Sequence, residues 1–222
     1  PRYPGRKLSP LGKLPLAARV VYKLFAAGNP AEAAALASYL GSRGVEAVAQ
    51  ELVEAATHGT APLRSEPVDL SLLAGHVVAR HQVLQPHGGV QVVVHTDPAR
   101  TDPVVVWGDE PKLERVLDNL VSNAVKFSPA GGQVGVSLTD DGRSAEIRVS
   151  DEGRGLATEQ LEQVFLPFHR TPDAAAVPGL GLGLTIVKRI VARHGGRVHA
   201  ESVLGAGTTF VVRLPVAPGA GH

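Results

Sequence analysis

Early in the chain, apolar residues recur at the spacing of one helix face: Leu14, Ala17, Ala18, Val21, Leu24 and Phe25. The segment "AGNPAE" then interrupts, with Asn29 as an N-cap, Pro30 at the first helical position and Glu32 completing a capping box. A second helix is predicted from there to about His58, with Leu36, Leu40, Val48, Leu52 and Ala55 on its inner side. Two helices joined by so short a turn form an antiparallel hairpin. One hairpin has too few large side chains to bury its own stripe, so residues 1–61 are expected to pair with a second copy as a four-helix bundle. Packing against the rest of the chain is the alternative.

The Gly/Pro/Ser/Thr-rich stretch "HGTAPLRSEP" reads as a linker. Beyond it the period alternates between that of helices and that of strands. A helix from Ser71 to about Leu84 precedes the strands "VQVVVHT" and "VVVW", and a long helix follows from Glu110 to about Phe127. The strands "QVGVSLT" and "AEIRVSD" come next, then a short helix, a glycine-rich segment and a helix ending at His194–Gly195. A hairpin of "RVHAES" with "TTFVVRL" closes the pattern. Strands with one polar side, and helices to cover the other, predict a two-layer α/β sandwich over residues 62–217, with a small-residue tail at 218–222. The fold class is therefore α+β: a helical hairpin followed by a sandwich domain.

Composition narrows the chemistry. The 222 residues are 44% hydrophobic and 19% charged with a net charge of +1, which leaves no electrostatic footprint for nucleic acid or an acidic membrane surface. Cysteine is absent, which excludes disulfides, thiolate metal sites and thiol nucleophiles and fits a reducing compartment. Charges such as Arg19, Lys23, Lys188 and Arg193 interrupt the longest apolar stretches, so no membrane span is expected. No signal peptide is visible, and the start at Pro1 without an initiator methionine suggests part of a longer protein.

Four short segments carry candidate chemistry. On the long helix, Leu113, Leu117, Leu120 and Ala124 form an apolar face, while Asn119, Asn123 and Lys126 line up on another. Such a stripe can be a solvated surface, yet asparagine is a mediocre helix former. An Asn carbonyl oxygen is a hard ligand suited to Mg²⁺, and a lysine one turn on can neutralise phosphate. In "AEIRVSDEGRG", Ile147, Val149 and Asp151 share one strand face, which carries a carboxylate inward. An inward charge needs a partner, which points to a ligand with a hydrogen-bond donor, although "DEG" is also an ordinary turn. Gly153 and Gly155 allow close backbone approach there. The third segment, "FLPFHR", offers Phe165 and Phe168, a pair that also suits a core, with Arg170 beside a lone His169 to which no metal role is given. The fourth places Gly179, Gly181 and Gly183 on alternate residues ahead of a helix. It follows a loop rather than a buried strand, unlike a dinucleotide fingerprint, and no GxxxxGK[ST] occurs, so a mobile phosphate-facing segment is the reading that remains.

In this order and spacing the four segments resemble the ATP-binding domain of sensor histidine kinases, within the group that includes Hsp90, gyrase and MutL. The resemblance covers about residues 66–216. It implies ATP and Mg²⁺ as cofactors: Asn123 would ligate the metal with Asn119 beside it, Lys126 would contact phosphates, and Phe127 would sit near the nucleotide. Asp151 would accept from the adenine amino group, and Gly153 and Gly155 would shape the adenine pocket. Arg170 would reach a phosphate, while Gly179, Gly181, Leu182 and Gly183 would form the hinge and phosphate-facing end of a lid. Leu180 departs from the small or hydroxyl residue usual in the family, and this lid is short and poor in charge.

The hairpin also fits the family, whose dimerisation domain precedes the ATP domain and whose first helix carries a phosphoacceptor histidine. Here "SPLGKLPL" aligns with that motif, and Pro10 occupies the acceptor position with Leu11 in place of the neighbouring acid. No histidine precedes His58. The resemblance thus implies a cytoplasmic, homodimeric two-component signalling module that binds Mg-ATP and does not autophosphorylate on its first helix. Its partner would be a response regulator or another signalling protein. The alternatives are an active kinase for a histidine on another protein, an ATP-regulated pseudokinase, or an ATPase of the Hsp90/MutL type.

Overall fold

In the computed structural model, the described residues are 63–84, 89–95, 102–167, 169–171 and 181–216. The expected helical hairpin, Pro10 and the homodimer it would form lie outside them, as do Phe168, Gly179 and Leu180. The chain divides into two compact units, one of residues 1–61 with 167–182 and the other of residues 62–166 with 183–222.

The second unit opens on a strand that the sequence pattern had placed partly in the linker. β1 (Glu66–Asp69) pairs antiparallel with β3 (Val105–Gly108). With four residues and Pro67 among them, β1 is too short to show a period, and it is a strand because β3 lies beside it. Asp69 ends β1 and caps α1 (Leu70–Leu84), its Oδ1 accepting from the Ser71 and Leu72 amides at 2.8 and 3.1 Å. β2 (Gln91–His95) leads to β3, and Asp109 caps α2 (Glu110–Phe127) with Pro111 in its first turn.

β4 (Gln133–Asp140), β5 (Ser144–Asp151), β6 (Arg197–Val203) and β7 (Gly207–Pro215) join β2 in a five-stranded sheet of order β2-β4-β5-β7-β6. The β2–β4 pair is parallel and the others antiparallel. One sheet face is apolar and buried, with Val134, Val136, Ile147, Val149, Phe210 and Val212 against the helices. The other is polar: Glu146 pairs with Arg213 and Arg148, and Arg148 also pairs with Glu201. The mixed α/β architecture agrees with the expected sandwich. The short helix expected after β5 is instead two 3₁₀ turns, Thr158–Gln160 and Gln163–Phe165. Backbone bonds between residues three apart close these turns, as where the Gln160 amide donates to the Ala157 carbonyl at 2.8 Å, and Gln160 Oε1 accepts from the Ala157 amide at 3.0 Å in return.

α3 (Gly183–Arg193) ends where its glycines predict. Gly195 is left-handed at φ 72°, with its amide on the Ala192 carbonyl and the Gly196 amide on the Val191 carbonyl, a Schellman closure.

Candidate functional site

α2 supplies one wall of the site. Leu113, Val116, Leu117, Leu120, Val121 and Ala124 are buried and fix its rotation about its axis, so Asn119 and Asn123 are half-buried on a neighbouring face. Asn119 Nδ2 donates to the Arg115 carbonyl at 2.8 Å, which orients Oδ1 away from its own helix. That oxygen faces the start of α3: a methyl on Gly183 would lie 2.7 Å from Asn119 Oδ1 and 4.0 Å from Asn123 Nδ2. The two asparagines and Gly183 therefore converge. Lys126 is exposed in the last turn, and Phe127 is half-buried with the Arg154 guanidinium 5.6 Å from its ring centre.

β5 supplies the carboxylate. Asp151 ends the strand in the inward phase of Ile147 and Val149 and is only 8% exposed. Its Oδ1 accepts from the Gly153 amide at 2.8 Å and the Thr208 amide at 3.2 Å. Among the described residues Oδ2 has no partner. Burial pushes the carboxyl above its ordinary range, and the two amide donors pull in the other direction without cancelling that effect. Gly153 is wedged between α2 and this carboxylate, since a methyl there would lie 2.6 Å from the Phe127 carbonyl oxygen and 2.7 Å from Asp151 Oδ1.

Gly155, left-handed at φ 72°, answers a different demand. A side chain there would overlap the Val203 carbonyl oxygen, so this glycine admits the β6–β7 hairpin. Gly207, at φ 94°, plays the same part against the Asp151 carbonyl. The Gly205 amide on the Arg154 carbonyl at 2.7 Å and the Leu156 amide on Ser202 Oγ at 2.8 Å complete this seam.

The sequence pattern missed Thr208, Ser202 and Gly207. A signal for Thr208 existed, because it shares the inward phase of Phe210 and Val212, where a polar residue needs a reason. The other unit holds Arg170, which is exposed, Gly181 at φ 74° and the buried Leu182. The structure thus brings Asn119, Asn123, Phe127, Asp151, Gly153 and Gly183 into one neighbourhood, while Gly155 packs against Val203 and Lys126 is exposed to solvent.

Residues 108–218 match the family model described as histidine kinase-, DNA gyrase B- and HSP90-like ATPase. The chain belongs to this family. Within it, the histidine-kinase branch is the one its relatives occupy. The signal transduction histidine-protein kinase/phosphatase MprB of Mycobacterium sp. (strain KMS) is 46% identical over 118 residues, covering 51% of this chain and 23% of that protein. The sensor-like histidine kinase SenX3 of Mycobacterium tuberculosis (strain ATCC 25618 / H37Rv) is 39% identical over 153 residues, covering 67% and 36%. The chain therefore spans between about a quarter and a third of these relatives' length. Among solved structures, the mycobacterial sensor histidine kinase MprB aligns with a TM-score of 0.58 at 33% identity, over 69% of this chain and 99% of that one. Full-length ShkA in complex with AMPPNP aligns with a TM-score of 0.67 at 28% identity, over 87% and 40%. The histidine-kinase-type catalytic domain is thus the part of such a kinase that these residues supply.

Proposed function

We propose that this domain binds Mg-ATP and serves a two-component signalling protein. The observation that carries the reading is Asp151: a buried carboxylate with one oxygen committed to two backbone amides and the other left for a donor. An adenine amino group is such a donor, and Gly153 lets the backbone pass close enough for its amide to hold Oδ1, which leaves Oδ2 for the ligand. The half-buried Phe127 offers apolar surface near it, and the exposed Lys126 a positive charge for phosphate.

The donor set fits magnesium. Among the described residues no group of three or more His, Cys, Asp or Glu could hold a metal alone. Mg²⁺ keeps several waters and is commonly bound through one or two protein oxygens together with substrate phosphates, a role that neutral amide oxygens of Asn123 and its neighbour Asn119 can fill. The metal would neutralise charge on the phosphates. Gly179, Gly181, Leu182 and Arg170 retain the lid roles that the family resemblance implies, and residues 1–61 the role of a dimerising hairpin. Among the described residues no helix is long and apolar enough to cross a membrane. A cytoplasmic setting and a response-regulator partner belong to the same proposal.

One sequence observation shapes the chemistry. Phosphoryl transfer to histidine needs an imidazole nitrogen free to attack phosphorus and a group to take its proton. Pro10 and Leu11 supply neither, and no histidine precedes His58. We therefore propose that the first helix is not self-phosphorylated. Calorimetric titration with ATP, with Mg²⁺ and then with EDTA, tests the binding reading; lack of saturable binding refutes it. Labelled ATP with mapping of acid-labile phosphate tests the second reading, which label within residues 1–30 overturns.

A further inference from the structure

His194 lies at the far end of α3 from the asparagines and is 9% exposed. Its Nδ1 lies 2.8 Å from the Ile190 carbonyl, which can only accept, so this nitrogen carries a proton and donates. Its Nε2 is then the acceptor for the Asp109 backbone amide at 3.0 Å, a bond between residues 85 apart in the chain. Asp109 is the N-cap of α2, and its carboxylate also takes the Arg64 and Lys112 amides and the Lys112 ammonium. Gly108 completes the fit, because a methyl there would lie 2.9 Å from His194 Cδ2 and 2.8 Å from Leu113 Cδ1.

Helices α2 and α3 run antiparallel between two contacts. The first joins Asp109 to His194 at one end, and the second joins Asn119 to Gly183 at the other. From Asp109 to Asn119 and from Gly183 to His194 each helix advances roughly 15 Å, so the two spans match. Ridges of apolar side chains seated in grooves set the crossing angle and separation of the two helices, and the ridges repeat along each axis, so more than one axial setting can seat them. A buried hydrogen bond to one defined backbone amide is directional and resists that sliding.

We infer that His194 is a positioning residue: it fixes the axial register of α3 against α2 and so holds Gly183 against Asn119. The link to nucleotide rests on the Mg-ATP reading above, whereas the register role does not.

The test uses the full chain with His194→Asn, His194→Gln and Gly108→Ala. Glutamine reaches as far as Nε2 and keeps an acceptor for the Asp109 amide; asparagine reaches only as far as Nδ1. Alanine at Gly108 presses the unaltered ring aside. Amide hydrogen exchange is read at residues 187–188, the first amides of α3 beyond its unpaired N-terminal turn, with β5 and β7 as internal reference. The expected result is faster exchange at 187–188 in the Asn and Ala variants and near wild-type exchange in the Gln variant. Affinity for a fluorescent ATP analogue with Mg²⁺ should fall about tenfold in the Asn and Ala variants and stay within about twofold in the Gln variant. Faster exchange confined to the immediate neighbours of residues 109 and 194 overturns the inference, as does a Gln variant no better than Asn. A wild-type chain that fails to bind the analogue refutes the nucleotide reading instead, and the exchange pattern still decides the register role.

Discussion

Replacing Asp151 by Asn separates what the site needs from what the fold prefers. An amide oxygen in place of Oδ1 keeps both the Gly153 and Thr208 amides, now at 2.8 and 3.2 Å, so the turn after β5 retains its bonds. The other oxygen becomes an NH₂ group. An adenine amine that met an acceptor now meets a donor. Loss of a charge-assisted hydrogen bond costs about 1.5–3 kcal/mol, and a donor left facing a donor adds about 1–3 kcal/mol. The sum is about 2.5–6 kcal/mol, so affinity should fall roughly sixtyfold or more at 1.4 kcal/mol per decade.

Stability should move the other way. Burial, the largest influence, raises the Asp151 carboxyl above its ordinary value against the opposing pull of two amides. A group with a raised folded value contributes stability fully present below its unfolded value of about 3.9, and that contribution is lost as pH rises through the folded value. At neutral pH the ionised side chain is therefore a burden that asparagine removes. The variant should melt at or above the wild-type temperature at neutral pH, with the advantage disappearing in acid. Calorimetric ATP titration and thermal melts on the same samples read both effects. Unchanged affinity refutes the role of Asp151. A variant that loses affinity and melts markedly lower shows instead that the carboxylate charge serves the fold.

Three further outcomes follow from the same contacts. Gly207→Ala forces a side chain into a left-handed position at φ 94° and against the Asp151 carbonyl; urea denaturation should show a loss of about 2–4 kcal/mol, and an unchanged midpoint would refute the close approach. Gly183→Ala puts a methyl 2.7 Å from Asn119 Oδ1 while favouring helix; the melting temperature should hold, ATP affinity should fall several-fold, and unaltered affinity would detach Asn119 from the site. Asp118 is held below the ordinary carboxylate range by the hydrogen bond to His81, with burial opposing and Arg80 assisting. Its stabilisation should be complete above about pH 4 and lost as pH falls through its depressed value. Asp118→Asn should flatten that acid limb in urea midpoints measured against pH, and an acid limb identical to wild type would refute the linkage.

Local periodicity made much of the domain legible. The spacing of Leu113, Leu117, Leu120 and Ala124 determines which side of α2 is buried, and that choice places Asn119 and Asn123 together. Alternation along β5 determines that Asp151 points inward, and Gly195 determines where α3 stops. These features follow from side-chain geometry within a few residues, which a chain carries into any fold that buries its apolar face. Pattern could not reveal β1, which is a strand only because β3 pairs with it. Nor could it divide the Asp151 oxygens, since the Thr208 amide that claims Oδ1 arrives from 57 residues away. The purpose of Gly155 is likewise set by the backbone of Val203, and the partner of His194 by the cap of α2. A backbone amide carries no side-chain identity for the sequence to display, so its partner is known only once strands have paired and helices have docked.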